Sequence, residues 1–430
     1  MTPATRQQGI TSTDHWHPQH GVPRLGKRCL TGRVPVLAPA QGTSIRWPLL
    51  LVLASLAAVA PVATDLYLPG FPAMGEALDA DASSVQLTLT TFLVGLALGQ
   101  LVMGPLSDRY GRRTPLLASA AACVVAGVVC ATAPSLSVLV VARLVQGFAG
   151  AGGMVIGRAV ISDVVSGPSA ARAFTLMLTV GGVAPVLAPL VGASLAGPVG
   201  WRGMLWAVVL LCLVMLGGVL LAVPETHPAQ RRAEAAVPVA SAVRRVVGNP
   251  AYRGPVAVFA LSFAVMMSYI SASPFVYQNV VGLSELGYGL AFGVNALGLI
   301  GAGWVSSRVV GRTSPRRLVR GATTVQLCAT AALLVLALTG APAWLLPVPI
   351  FVAVTSNGAI MGNSAALAMD QVREVAGAGS AVLGFSQFAL GALVSPLVGL
   401  GGETSAVVPA LVMATASVLG FTASRVSLPR

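Results

Sequence analysis

Charged residues are scarce in this sequence, at 9% of its 430 positions. A soluble domain carries roughly a quarter charged residues, so this chain could not cover its core with a wetted surface. The five cysteines form no CxxC pair, which excludes a disulfide framework and indicates small packing residues. A GxxxxGK[ST] phosphate loop, a nucleophile motif and a histidine ligand set within the apolar runs are all missing. These absences argue against a membrane-embedded enzyme and against ATP hydrolysis by this chain.

Apolar runs dominate what the sequence does contain. Hydrophobic residues make up 55% of the chain, and the mean hydropathy is +0.83. A helix needs about 20 mostly apolar residues to cross the hydrocarbon layer, whereas barrel strands are short and alternating. The long, continuous runs here predict an all-α membrane protein. We predict twelve spans, numbered in chain order, at 47–68, 84–107, 115–133, 136–159, 171–195, 201–222, 254–279, 287–307, 317–339, 343–368, 376–399 and 404–424.

Basic residues are distributed unevenly between alternate connections. The net charge of +13 would suggest nucleic acid in a soluble protein. Here arginine is concentrated in the tail and in every second loop, so we expect no nucleic-acid partner. The intervening loops carry acids such as Glu76 and Asp79, with Arg202 as their basic residue. This asymmetry predicts a multi-pass protein of the cytoplasmic membrane, with an even number of spans and both termini in the cytoplasm.

The longest internal connection divides the predicted spans six and six. PLVG at 189–192 recurs at 396–399, and GPLSDR at 104–109 has a weaker echo at 303–308. Such repeats indicate two related halves that bind substrate between them. We predict a disordered, basic cytoplasmic tail (1–45), an N-terminal six-helix bundle (46–222), a cytoplasmic linker (223–253) and a C-terminal six-helix bundle (254–425).

The N-terminal region allows two alternative interpretations. Residues 49–56, followed by Ala-Val-Ala at 58–60, resemble a signal peptide with a cleavage site. The long preceding tail, Pro61 directly after the candidate cut and the loop charges favour a retained span. Three tail histidines could hold a metal, but we favour a disordered tail without one: His15, His17 and His20.

Ionisable residues within the spans are few. Each costs about 2.5–3.5 kcal/mol at the bilayer centre on insertion scales, so each retained one indicates a role. Asp65 lies late in span 1, Arg143 lies within span 4, and Arg158 lies near the cytoplasmic end of span 4. Asp65 is the best candidate for a proton-carrying group, and the alternative is an interfacial cap beside Pro69. We predict that Arg143 lines a cavity and biases the proton occupancy of Asp65 electrostatically.

Span 5 contains Pro185 and Pro189, which each remove a backbone donor and bend the helix. Together with Gly192 they predict a kinked, closely packed element. A packing kink and a gating role explain this pattern equally well.

The loop GPLSDRYGRRTPLL (104–117) is the most specific local pattern. Gly111 permits a tight turn between antiparallel spans, and Asp108 can pair with neighbouring arginines or a helix N-terminus. Arg112 and Arg113 hold the loop in the cytoplasm. An orienting role explains the arginines but not the accompanying Asp108 and Gly111.

This loop resembles the signature of the major facilitator superfamily, G-x-L-[SA]-D-R-x-G-R-[RK]. The matching positions are Gly104, Leu106, Ser107, Asp108, Arg109, Gly111, Arg112 and Arg113. Span 4 is similar to the superfamily's R-x-x-Q-G motif, at Arg143, Gln146 and Gly147. Stretches at 63–72, 85–100, 269–278 and 378–387 resemble the Bcr/CflA drug-resistance subgroup, which includes chloramphenicol exporters of the CmlA type.

The resemblance implies a major facilitator fold of twelve helices in two six-helix bundles. It also implies alternating access driven by a proton gradient, without a cofactor. In the family, the loop acid and the second loop arginine belong to a charge cluster that holds the halves together. Those positions are Asp108 and Arg112, with Asp163 as a further partner. Asp65, in the stretch T-D-x-Y-L-P, would carry the proton or contact substrate, with Arg143 and Gln146 in the same coupling site.

Two positions depart from the family pattern. Ser307 stands where the second-half loop would carry an acid, so the charge cluster is asymmetric. Span 5 reads Ala184-Pro185 in place of the Gly-Pro of the antiporter motif, which weakens the inference of export.

We therefore predict a proton-coupled exporter of small amphipathic drugs such as chloramphenicol-type antibiotics. The alternative is proton-coupled export or uptake of an endogenous metabolite. We expect protons, a small-molecule substrate and the lipid bilayer as partners of a monomeric protein. The predicted substrate lining is Tyr269, Phe275, Tyr277, Asn357 and Gln387.

Overall fold

The computed structural model describes residues 45–165, 167–227, 239–310 and 312–428. In these residues the chain is helical and contains no strand. The spans are Trp47–Asp65, Ala82–Tyr110, Arg113–Ala131, Leu136–Val164, the two parts of Gly167–Ala222, Pro250–Phe275, Glu285–Val309, Pro315–Leu338, Pro347–Asp370, Ala376–Gly399 and Val407–Ser427.

The segment Gly167–Ala222 contains two spans joined at Gly200. Its 56 residues would measure about 84 Å as one straight helix, far more than a bilayer core of about 30 Å. Gly200 has φ 63° and ψ −176°, which interrupts the helix. Gly192, before this point, packs on the Leu66 carbonyl at the end of span 1, whereas Gly218 packs on Val52 near its start. The chain therefore reverses at Gly200, and residues 167–199 and 201–222 form spans 5 and 6.

With this division, the eleven long apolar helices in the described parts of the chain provide twelve spans, and the predicted twelve-helix fold is confirmed. Several helices begin a few residues before their predicted bounds, at polar N-cap residues. Asp81 accepts a hydrogen bond from the Ser84 amide (2.8 Å), and Ser284 accepts one from the Gly287 amide (3.1 Å).

Span 1 is shorter than predicted. The α-helix ends at Asp65, and a 3₁₀ turn, Leu68–Gly70, leads into the short helix Phe71–Leu78. Pro69 cannot donate a backbone hydrogen bond and restricts the residue before it, so the α-helix does not continue to residue 68.

Several predictions concern residues outside the described parts of the chain. These are the tail before residue 45 with its histidines and Cys29, and linker residues 228–238. Of the predicted linker, Val239–Gly248 is a helix whose Val246 is buried against Tyr252 and Val372 of the second half.

Close helix crossings connect the predicted halves. Gly399 of span 11 packs on the Ser83 backbone at the start of span 2, and Gly384 lies against Gln100 further along the same two helices. Gly289 of span 8 packs on the Pro189 carbonyl of span 5. The described residues belong to one compact unit, and the bundle bounds 46–222 and 254–425 remain a prediction.

Within the first predicted half, spans 2 and 4 approach at backbone distance. A Cβ on Gly147 would collide with the Phe92 carbonyl, and one on Gly95 would collide with the Leu144 carbonyl. Glycine therefore allows the close helix approach that membrane packing favours, since lipid supplies no hydrophobic drive for helix association. This crossing fixes the position of Arg143 and Gln146 relative to span 2.

Candidate functional site

Asp65 is the last residue of the α-helix of span 1, and only 3% of its surface is exposed. Its Oδ1 accepts no hydrogen bond from any described residue. Gly192 of span 5 packs directly on the carbonyl of Leu66, the next residue in the chain. Span 5 thus packs directly against the point where span 1 stops being α-helical.

Aromatic side chains of the second predicted half face the Asp65 carboxyl group. Tyr269 and Tyr288 are close enough to interact with it electrostatically. The Tyr269 hydroxyl accepts a hydrogen bond from Asn295 Nδ2 (2.9 Å), and the Tyr288 hydroxyl bonds to Ser273 Oγ (3.1 Å). Asp65 therefore lies at the interface between the halves, where a charge is costly and Oδ1 has no described hydrogen-bond partner.

The interface above Asp65 is closed. The rings of Phe71 and Phe275 lie 6.2 Å apart, centroid to centroid, with one ring from each half. Gln278 Nε2 donates to the Pro69 carbonyl (3.2 Å), and Gln86 Nε2 donates to the Ser271 carbonyl (3.0 Å). In this conformation Asp65 is sealed from the end of the bundle at which residues 66–81 lie.

Arg143 is fully buried within the first half and makes contacts other than the predicted ones. Its Nη1 donates to Gln146 Oε1 (2.7 Å), and its Nη2 donates to the Ala63 carbonyl (2.8 Å). The guanidinium also stacks on the rings of Phe92 (4.2 Å) and Tyr67 (4.6 Å).

The described contacts include no ion pair between Arg143 and Asp65. None of the surface of Arg143 is exposed in this conformation, and the expectation that it lines a cavity remains a prediction. Its backbone partner Ala63 lies two residues before Asp65, so its connection to the acid runs through the end of span 1. The predicted electrostatic effect of Arg143 on Asp65 remains a prediction.

The structure brings the loop residues together with the end of span 4. Arg112 donates from Nη1 to Asp108 (2.5 Å) and to Ser107 Oγ (2.7 Å), and from Nε to Asp163 (2.9 Å). Burial of Arg112 opposes its charge, but the hydrogen bonds to Asp163 and Asp108 raise the pKa of the guanidinium above its usual range.

Glu225 is a member of this cluster that the sequence did not reveal. Its carboxylate accepts hydrogen bonds from the backbone amides of Arg112 (2.8 Å) and Arg113 (3.2 Å). Thr226 donates to Asp163 (3.1 Å). We name Asp108, Arg112, Arg113, Asp163 and Glu225 the arginine-loop cluster.

The arginine-loop cluster joins spans 2, 3 and 4 to the end of span 6. The hydrogen bonds and ion pairs given above for this cluster join residues before 228, and the predicted link between the two halves remains a prediction. Gly111, at φ 90° and ψ 170°, makes the turn that positions Arg112. Gly104 faces Val155 of span 4 at ordinary contact distance, and Arg109 lies over the Tyr110 ring.

Two of the five predicted lining residues contact one face of span 8, and a third contacts the first half. Tyr269 stacks on Phe292 (5.4 Å), and Tyr277 Oη accepts from Asn295 (3.0 Å). Phe275 contacts Phe71, as described above. Asn295, Tyr288 and Phe292 were missed, although their spacing of three and four residues on span 8 indicates one helix face.

The other two predicted lining residues lie apart from these aromatic contacts. Asn357 is buried within the second half, where its Nδ2 lies 3.4 Å from the Ala353 carbonyl and its Oδ1 has no described partner. Gln387 is half-buried on span 11.

A model of the Major Facilitator Superfamily matches residues 53–396, and the chain belongs to this superfamily. It is 33% identical to an uncharacterised transporter of the same type, YdgK of Bacillus subtilis, over 87% of this chain and 94% of the relative. The superfamily consists of transporters, so the expectation that the chain is not an enzyme is confirmed. The protein is a multi-pass integral membrane transporter of small molecules.

Drug-resistance proteins are among its relatives. It is 27% identical to a bicyclomycin resistance protein homolog of Haemophilus influenzae, over 81% of this chain and 88% of the relative. It is 29% identical to a chloramphenicol resistance protein of Pseudomonas aeruginosa, over 73% and 76% respectively. These relatives confirm the resemblance to the drug-resistance subgroup.

The fold is also that of solved transporters. The crystal structure of a D-xylose–proton symporter superposes with a TM-score of 0.70, covering 88% of this chain and 96% of that one, at 14% identity. At 14% identity this similarity supports a shared fold and nothing further.

Proposed function

We propose that this protein is a proton-coupled exporter of small amphipathic drugs, with Asp65 as the group that carries the proton. The observation that supports this most directly is the position of Asp65. It is a carboxylic acid without a described partner for Oδ1, and it is enclosed at the interface between two halves that must separate for transport.

The chemistry follows from that position. When the halves open towards the outside, water reaches Asp65 and the acid takes up a proton. The neutral acid tolerates the closed, aromatic interface seen here, because no charge is left without a partner. When the pathway is open to the cytoplasm, the proton leaves and drug enters. The bond from Arg143 to the Ala63 carbonyl holds the end of span 1 and so positions the acid.

Substrate recognition in this proposal is mostly apolar. The ring pairs Phe71–Phe275 and Tyr269–Phe292 would offer stacking surfaces for aromatic drugs. The hydroxyls of Tyr269 and Tyr277 and the amide of Asn295 provide the few polar groups that orient a ligand in an apolar pocket. The drug-resistance proteins among the relatives support a substrate of this kind.

The proposal includes a location and an energy source. The protein resides in the cytoplasmic membrane with both termini in the cytoplasm, works as a monomer and uses the proton gradient without a cofactor. The arginine-rich loop at residues 109–113 supports this orientation, because positive charge is retained on the cytoplasmic side.

Everted membrane vesicles test the coupling. Addition of chloramphenicol to vesicles with an acidified lumen is expected to release protons in the presence of the parent protein. Asp65→Asn should lose drug-dependent proton release, because an amide cannot exchange a proton, and Asp65→Glu should retain part of it. Glu76→Gln is the matched control, because Glu76 is an exposed acid eleven residues further along the chain. Unchanged proton release in Asp65→Asn would exclude Asp65 as the carrier.

A further inference from the structure

A second arginine of span 4, Arg158, is half-buried and lies between the two halves. It lies six positions before the end of the helix at Val164, so its Cα is about 9 Å from that end along the helix axis. The guanidinium extends to Ser380 of span 11 in one direction and to Gln100 of span 2 in the other. Arg158 therefore contacts both sides of the interface along which the halves must move.

The hydrogen bonds of Arg158 all go to neutral acceptors. Nε donates to the Met154 carbonyl (2.9 Å), and Nη2 donates to Gln100 Oε1 (3.2 Å). Nη1 lies 3.5 Å from Ser380 Oγ, at the limit for a hydrogen bond. Since a guanidinium has five N–H groups, two of them have no partner among the described residues, and a third has a weak one.

Among the described residues, Arg158 also has no counter-charge. No carboxylate in the described parts of the chain forms an ion pair with it, whereas Arg112 has two such partners. A permanently charged group inside a membrane span is retained at a cost, and it needs either a partner or a watered cavity. Arg143, the fully buried arginine of span 4, stacks on two rings and is enclosed. Arg158 is instead half-buried.

We propose that Arg158 binds a carboxylate carried by the transported molecule, which makes anionic or zwitterionic amphipathic compounds preferred substrates. The planar fork of N–H donors matches the two oxygens of a carboxylate, and the weak contact with Ser380 is readily replaced by such a ligand. Because Ser380 belongs to the second half, occupancy by an anion changes a contact between the halves. This proposal rests on the transport function proposed above and specifies its substrate class.

Binding to the purified full-length protein tests the proposal with pairs of probes that differ in one carboxylate. Chloramphenicol and chloramphenicol succinate form one pair, and rhodamine 123 and its free acid, rhodamine 110, form another. By isothermal titration at pH 7, the parent protein should bind the acid of at least one pair roughly tenfold to a hundredfold more tightly than its ester or alcohol, as charge-assisted hydrogen bonds provide. Arg158→Gln should abolish this preference, and Arg158→Lys should retain part of it.

Two further variants separate recognition from folding. Ser380→Ala removes a contact between the halves without removing charge, and it should keep the preference for the acid. Arg308→Gln removes an exposed arginine that stacks on Trp304, and it should also behave like the parent. Size-exclusion chromatography and thermal stability identify a variant that fails to fold. If Arg158→Gln fails to fold, the test is whether Arg158→Lys has a weaker preference for the acid than Ser380→Ala.

The proposal is wrong if the parent shows no preference for either acid, or if Arg158→Gln keeps the preference. Proton release in everted vesicles reports separately on the transport function. Acid-selective binding without drug-dependent proton release would contradict proton-coupled export and leave the role of Arg158 supported.

Discussion

At the residue scale, three arginines of the first half receive three different environments. Arg112 is paired with two acids, Arg143 is stacked on two rings, and Arg158 is held by neutral acceptors alone. The guanidinium is the same in each case, so its surroundings decide whether it stabilises the fold or is free for a ligand. Of these three, only Arg112 forms conventional ion pairs, and its two acidic partners differ in solvent exposure.

The two acids of Arg112 should contribute unequally to stability. Asp163 is 17% exposed, whereas Asp108 is 54% exposed. We expect Asp163→Asn to destabilise the protein by about 1–3 kcal/mol, since it weakens a buried charged hydrogen bond. Asp108→Asn should cost less than about 1 kcal/mol, as exposed pairs do. Thermal unfolding in detergent measures both, and an equal or larger loss in Asp108→Asn would contradict this ranking.

Sequence patterns reveal some of these residues and conceal others. Asp108 and Arg112 are four residues apart on consecutive elements, so their pairing is readable from the chain. Glu225 is separated from Arg112 by 113 positions, and no local pattern relates them. The Ala63 carbonyl that binds Arg143 is equally invisible, because every residue carries a carbonyl and only packing selects one. Asp65, in contrast, is identified by its rarity as an acid within an apolar run.

At the element scale, span 5 is positioned by glycine as well as by proline. Gly192 packs on the Leu66 carbonyl, so a side chain there would push span 5 away from the end of span 1. Gly197, five residues later, has no atom within 4 Å of the position of an added Cβ. Alanine at Gly192 would add both a steric collision and higher helix propensity, whereas alanine at Gly197 would add helix propensity alone. Comparing the two variants therefore isolates the steric effect.

We expect Gly192→Ala to lower thermal stability and drug export, because the collision involves backbone and cannot be relieved by a rotamer change. Gly197→Ala should be neutral or stabilising, by up to about 1 kcal/mol, as alanine favours helix. Stability in detergent and export in cells provide the comparison. Parent-like behaviour of Gly192→Ala would show that the close contact of spans 5 and 1 is dispensable.

Gly200 provides a second test within the same segment. Its φ of 63° and ψ of −176° fall in a region that is essentially restricted to glycine. We expect Gly200→Ala to cost about 1–3 kcal/mol through backbone strain alone, because an added Cβ would meet no atom within 4 Å. Thermal unfolding of Gly200→Ala beside Gly197→Ala measures this strain. A loss no greater than that of the Gly197 variant would argue against a sharp reversal at Gly200.

The spans themselves were predictable because the length of an apolar run is a physical requirement of the bilayer. The predicted and observed spans differ by a few residues at their ends. Capping side chains such as Asp81 set where some helices begin, and Pro69 limits the end of span 1. The helix Val239–Gly248 lay in a region predicted as linker, since its ten residues are too short to cross a membrane. Its burial depends on partners in the second half, which the local sequence does not specify.

At the scale of the whole molecule, transport requires the contacts above Asp65 to open. Phe71 and Phe275 face each other across the interface. A short bifunctional thiol reagent applied to the double variant Phe71→Cys/Phe275→Cys is expected to join the halves and stop export. Phe263 and Phe388, whose rings lie 5.7 Å apart within the second half, give the matched control pair.

Cross-linking of the control pair should leave export largely intact, because it joins two helices that move together. Mass spectrometry establishes that each link has formed. Continued export by a protein fully cross-linked between Phe71→Cys and Phe275→Cys would show that the halves do not separate at this end during the cycle.

The arginine-loop cluster has a consequence for the chain that leaves the first half. Glu225 and Thr226 follow span 6, and their side chains are tied to the loop before span 3 and to the end of span 4. The connection to the second half therefore begins at residues that are held in place by the arginine-loop cluster. A pulling force on this connection would be transmitted through Glu225 to Arg112 before it acted on span 6. Extra residues inserted after position 227 would lengthen the connection and reduce such a force. Extra residues inserted between positions 222 and 225 would instead displace Glu225 from the backbone amides of Arg112 and Arg113.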